Sequence, residues 1–203
     1  MLARAEYYKS VLKTFPTTES SYLVVAGATR AQVAEILDVD LTQLVDATEA
    51  GYFAEFTAWT VFELPGRGVV AWEGTGYGDP SNAALVRLSA DGRAAAVVRD
   101  NAQGHVRFGC AVSGSLLFDA DEFVYIDEPG DMPDVLRPLF DLVWEDLDGP
   151  DVDRGDDAPS PYAVGMAMCE AITGLELTVD EIVRAVNTEM FRAPMLQYPG
   201  SDD

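Results

Sequence analysis

Histidine is almost missing from this chain: in 203 residues, His105 stands alone. Imidazole-based zinc sites and Ser-His-Asp or Cys-His machinery need a well-placed histidine with partners. His105 follows Gly104 in an expected turn, where a solvated ring is the plain reading. Cys-x-x-Cys, His-Glu-x-x-His and Gly-x-Ser-x-Gly do not occur. Lysine is scarce too, at Lys9 and Lys13 only, and no basic stripe exists to neutralise phosphates. Direct nucleic-acid binding is therefore not expected. No stretch approaches the roughly 20 apolar residues that span a bilayer, so no membrane partner is expected. Met1 to Lys13 carries charges without an apolar run or a small-residue cleavage site, which reads as a helix, not a secretory signal. A cytoplasmic protein with Cys110 and Cys169 as buried free thiols is the expectation.

What the chain has in excess is acid. Thirty-five carboxylates face 13 bases, a net charge of −22. The charge is concentrated: residues 119–157 hold 15 acids against Arg137 and Arg154, whereas residues 1–30 are net positive by two. A host or solubility effect accounts for such a balance, and so does a surface that steers a basic partner. A hydrophobic fraction of 48% gives enough apolar side chain for a core.

The patterning predicts an α+β fold in one domain: an antiparallel sheet meander flanked by N-terminal helices and a C-terminal helical pair. Residues 1–50 read as mainly helical, with a helix from Leu2 to Leu12 whose core contacts include Leu2, Tyr8, Val11 and Leu12. Tyr22 to Ala26 is a buried strand or a helical turn, Thr29 with Gln32 forms a capping box, and Thr42 to Thr48 reads as a short helix. From residue 51 to 127 the period turns strand-like. Phe53–Leu64 and Val69–Glu73 flank a Pro-Gly turn, Ala94–Arg99 pairs with Val106–Val112, Ser115–Phe118 follows a tight turn, and Phe123–Ile126 reads as a further strand. Asp79-Pro80 reads as cap and first residue of a helix over Asn82–Ser89. Residues 128–192 become helical again: Pro133–Leu147 with Pro138 as kink or late start, then an acidic loop over 148–161. Tyr162–Thr173 and Val179–Phe191 make the helical pair, with Gly174 as stop and Thr178/Glu181 as capping box. Residues 193–203 read as a tail.

Several stretches in order resemble a family of uncharacterised actinobacterial proteins, a domain of unknown function. They are Ala26-Gly-Ala-Thr29, Trp59-Thr-Val61 with Val69–Glu73, Leu85–Ser89, Arg93–Asn101, Val106–Ala111 with Gly114, and Ala167–Gly174 with Leu177-Thr178. The resemblance implies a shared α+β scaffold and an actinobacterial or phage source. It carries over no catalytic residue, and the acidic insertion around Asp148–Asp157 departs from the pattern.

Other constellations carry little. Gly74-x-Gly76-x-Gly78 precedes a helix, but no Lys-Ser/Thr pair follows and Asp79 puts negative charge where an anion would sit, so a mobile hairpin loop is expected. Asp151-x-Asp153-x-Gly155 places Gly155, Asp156 and Tyr162 at positions five, six and twelve of a calcium loop, which fails the EF-hand pattern. Glu73, beside Trp72, is the one carboxylate singled out for glycoside-type chemistry, and an exposed strand end is its expected place. No catalytic residue, cofactor or metal ligand is assigned. The candidate partner-binding residues are Asp141, Trp144, Glu145, Asp146, Asp148, Asp151, Asp153, Asp156 and Asp157, with Trp144 as an aromatic anchor among acids. The expected function is a non-enzymatic module that occludes a basic protein surface, as an immunity protein, antitoxin-like inhibitor or counter-defence factor would. A nucleic-acid mimic and a carboxylate-only hydrolase are the alternatives.

Overall fold

The computed structural model describes residues 2–15, 19–50, 55–101, 103–126, 132–144 and 158–195. Among these residues eight strands form one antiparallel sheet: β1 (Ser20–Ala26), β2 (Asp40–Leu44), β3 (Phe56–Leu64), β4 (Gly68–Glu73), β5 (Ala94–Asp100), β6 (Val106–Val112), β7 (Ser115–Ala120) and β8 (Met190–Pro194). Their order is β2-β8-β3-β4-β1-β5-β6-β7. The α+β class holds, and segments from both ends of the chain enter the sheet. β1 sits between the β3–β4 hairpin and the β5–β6–β7 run, which is why Tyr22 to Ala26 is apolar throughout: each of its side chains faces a covered side of the sheet.

Among the described residues six helices cover the two faces: α1 (Leu2–Leu12), α2 (Arg30–Ile36), α3 (Asn82–Leu88), α4 (Arg137–Phe140), α5 (Pro161–Thr173) and α6 (Val179–Val186). Strand alternation sends Tyr22, Val24, Val70, Trp72, Val98 and Phe108 toward α1, α4, α5 and α6. It sends Leu23, Val25, Trp59, Val61, Val97 and Ala111 toward α2 and α3. α5 is buried on nearly all sides from Tyr162 to Cys169, because β5 lies beneath it and α1 packs outside it. Gly165 permits that approach. A Cβ there would lie 2.9 Å from Val98 Cβ and closer still to its Cγ2. Gly165→Ala is therefore expected to cost about 1–3 kcal/mol through overpacking, read as a lowered midpoint in urea unfolding.

Several expected boundaries shift. Thr42–Thr48 is no helix: residues 40–44 form the edge strand β2, and a single 3-10 turn follows at Ala47–Glu49. Phe191 leaves the last helix, which stops at Val186, and enters β8 against Trp59. Phe123–Tyr125 is a 3-10 turn that plugs Phe123 into the core. Leu2 is exposed, and Ala5 takes the core place beside Tyr8 and Val11. Within Pro133–Leu147 the described helix is only Arg137–Phe140, with Pro138 in its first turn, so the late start holds. Both capping boxes, at Thr29/Gln32 and Thr178/Glu181, form as read, and Gly174 closes α5 at φ +67°.

Candidate functional site

One line of side chains crosses the α2/α3 face near the end of the sheet. Register aligns Phe191, Trp59, Glu73, Ser21, Arg99 and Arg107 on β8, β3, β4, β1, β5 and β6 in turn. Five of the six are at most 3% exposed, and Arg107 is 6% exposed. Burying Glu73, Arg99 and Arg107 is costly unless each is paired. The segment from Gly74 to Ser81 supplies much of the pairing. It is no hairpin; it joins β4 to α3 and folds back over the row.

Asp79 lies between the two arginines. It bonds Arg107 Nη1, and its second oxygen is 3.4 Å from Arg99 Nη1. Asp79 therefore does not cap α3, as the sequence suggested. Ser81 takes the cap by accepting from Ala84 N–H. Arg107 also donates to Asp119 at 2.8 Å, to the Pro80 carbonyl at 2.8 Å and to Asn82 Oδ1 at 3.0 Å. Arg99 reaches Asp121 at 3.0 Å. Gly109 leaves the space for the Arg107 fork: a Cβ there would lie 3.0 Å from Asp119 Oδ1 and 3.1 Å from Arg107 Nη2. Burial pulls the Arg107 pKa down, but Asp79 and Asp119 outweigh it, and the net direction is upward.

Glu73 is not the exposed strand end that was expected. It is fully buried and accepts from Thr75 N–H at 3.0 Å, from the Thr75 hydroxyl and from Gly78 N–H at 3.2 Å. Burial nevertheless pushes its carboxyl up to about 7. The glycines of the loop serve this packing. A Cβ on Gly78 would lie 2.8 Å from Glu73 Cγ and 2.9 Å from Trp59 Nε1, and Gly76, at φ +70°, sits against the Asp100 carbonyl. The Thr75 and Gly78 amides are thus taken by Glu73 and do not face a phosphate.

A hollow of about 320 Å³ adjoins the row, lined by Trp72, Glu73, Gly74, Thr75, Asn187 and Met190 among others. Glu73, 0% exposed, meets it at the end of the sheet, while alternation turns the Trp72 ring toward the α6 side. A second hollow of about 300 Å³ carries Asp38, Asp40 and Glu55 beside Arg192. All three acids are exposed, and bonds from the Thr42 hydroxyl and amide hold Asp40 below the usual carboxylate range. A general acid needs the opposite shift. Among the described residues no group of three or more His, Cys, Asp or Glu is placed to hold a metal ion.

Of the candidate partner-binding residues, Asp141 is exposed and Trp144 is half-buried. Trp144 donates to the Ile126 carbonyl at 2.9 Å and packs 6.2 Å from the Phe140 ring. Glu145, Asp146, Asp148, Asp151, Asp153, Asp156 and Asp157 lie outside the described residues. Cys110 and Cys169 are free and buried; burial pushes the Cys110 thiol up to about 12 and Cys169 well above its ordinary value. His105 is exposed, 2.9 Å from Glu122. Among the described residues no helix is long and apolar enough to cross a membrane. The arginine pair was the feature missed in the sequence. The expected β5–β6 pairing already sets Arg99 opposite Arg107, and like charges facing each other require an acid between them.

Residues 16–192 match the model of a family of unknown function, DUF6461. No curated protein and no solved structure matches the chain.

Proposed function

Since the chain belongs to DUF6461, a family without a described activity, we propose from its own residues that it is an acidic protein-binding module acting on a basic partner. The observation that supports this is where its few cations go. Arg4, Arg67, Arg93, Arg99, Arg107 and Arg137 are each held by a carboxylate. Arg30, Arg184 and Arg192 lie over the rings of Phe191, Phe62 and Phe56. Outward-facing acids such as Glu35, Asp46, Asp141 and Asp180 greatly outnumber the cations left to offset them. Such a surface raises the rate of encounter with a basic protein and rejects acidic ones.

The finer reading is an inhibitor in the cytoplasm of an actinobacterial host, of the immunity or antitoxin type, that covers a basic functional surface. Capture from lysate of the source organism, with low- and high-salt washes, tests it. The expected result is one dominant basic protein, released by salt. Replacing Asp146, Asp148, Asp151 and Asp153 by asparagine together is expected to weaken that capture by about tenfold or more while melting stays unchanged. Equal capture by the folded variant would place the interface away from the acidic tract. A captured nucleic-acid-binding protein that releases DNA or RNA on binding this chain would turn the reading toward mimicry.

A further inference from the structure

Resting on that reading, we propose that the open edge of β7 receives an extended basic segment of the partner as a ninth strand. β7 is the outermost strand on its side, and among the described residues none lies beyond it. An outer strand leaves a row of backbone N–H and C=O groups facing outward, and natural edges are usually blunted by lysine, proline or irregular pairing.

The two edges of this sheet differ in degree: β2 keeps two paired positions and β7 five. β2 is irregular: its register with β8 shifts between Asp40 and Leu44, and the Thr42 amide is already turned onto Asp40 Oδ1 at 2.9 Å. β7 reads Ser-Leu-Leu-Phe-Asp-Ala, with no lysine, arginine or proline. It carries one irregularity. Ala111 pairs with Leu116 and Cys110 with Phe118, so Leu117 is the extra residue of a bulge. Both leucines are left 39% exposed, in adjacent positions that regular alternation would send to opposite faces. Beyond the bulge, Phe118 to Ala120 pair regularly with β6.

A hollow of about 460 Å³ follows this edge, bounded by residues 116–120, by Asn82 on the α3 side and by Ile126. Apolar side chains of an added strand would meet Leu116 and Leu117 there. Asp119 lines the hollow, and Asp121 and Glu122 follow it in the chain. Arg99 and Arg107, which contact Asp121 and Asp119, have side chains only 1% and 8% exposed, whereas Asp121 is 53% exposed. The charge presented to solvent at this edge is thus acidic. A second copy of the chain fits poorly: it would bring another −22 and a second set of these acids to the same edge. A strand alternating apolar and basic residues satisfies the backbone groups, the leucines and the acids together.

The test uses the full chain and a fluorescent peptide alternating lysine and valine. Its twin has the same sequence and charge, with alternate backbone nitrogens methylated so that one edge cannot donate. Fluorescence anisotropy is expected to show the parent peptide binding about tenfold or more tighter than the twin. A Leu116→Thr/Leu117→Thr protein, altered only at part-exposed side chains, is expected to bind the parent about tenfold more weakly with unchanged melting. Amides in residues 115–120 should gain exchange protection with the parent only. Equal, salt-sensitive binding of both peptides would overturn the edge proposal while leaving the acidic module standing. No binding of the parent, or self-association of the chain that the double threonine variant abolishes, would also overturn it.

Discussion

Replacing Arg107 by methionine is expected to lower unfolding stability by about 3–5 kcal/mol, as when one partner is removed from a buried ion pair. Asp79 would keep only Arg99, 3.4 Å away, against a burial that already pushes its carboxyl upward. Asp119 would lose its 2.8 Å bond, and the Pro80 carbonyl its donor. Because net stabilities of domains run to about 5–15 kcal/mol, this is a large share of the whole. Arg107→Lys should fall short of rescue, since a single ammonium cannot reproduce a fork reaching Asp79, Asp119, Pro80 and Asn82. Asp79→Leu should cost about 1–2 kcal/mol less in the Arg107→Met protein than in wild type, because part of what Asp79 contributes is its bond to Arg107, while its contact with Arg99 is lost in both. Urea unfolding of the four proteins of this cycle checks the expectation. Simple additivity would mean that Asp79 and Arg107 do not form one unit.

That network also marks where sequence reading stopped. Features settled within a few residues were legible: both capping boxes, the Gly174 stop, and the Ser113-Gly114 turn, whose residues adopt φ +52° and +77°. β5 and β6 were legible as a hairpin for the same reason. Segments whose state is decided by distant partners were not. Residues 40–44 are polar and short, and only β8, contributed by residues 190–194, makes them a strand. Asp79 has the local chemistry of a cap, but two arginines from β5 and β6 outbid the helix start, and Ser81 was available to replace it. Of the partner-binding candidates, Trp144 was read as an aromatic anchor among acids, and its bond to Ile126 and its half-buried ring tie it to the fold. Glu73 looked like any strand-end acid because nothing near it in sequence announces that residues 74–81 fold back over it.

Glu73 gives the second large effect, one that appears only when pH is varied. In the unfolded chain its carboxyl titrates near the ordinary 4.5, and in the fold burial lifts it to about 7. Between those values the folded state holds a proton that the unfolded state has released, so stability falls as pH rises through this window. The loss is complete above about pH 7 and amounts to ~3 kcal/mol relative to pH 4. The other carboxylates titrate as well, so the comparison must be with Glu73→Gln, which keeps their contribution and removes this one. Glutamine replaces one accepting oxygen by a donor in a site where Thr75 and Gly78 already donate, which costs about 1–2 kcal/mol at every pH. Wild type should therefore be the more stable protein near pH 4.5. Its advantage should shrink by ~3 kcal/mol by pH 8, where the variant draws level or passes it. Urea midpoints of both proteins at intervals from pH 4.5 to 8 measure the difference directly. Curves that run parallel would mean that the amides of Thr75 and Gly78 stabilise the carboxylate enough to cancel its burial. Glu73 would then be an ordinary ionised acid, and the row across the sheet would hold a full negative charge at neutral pH.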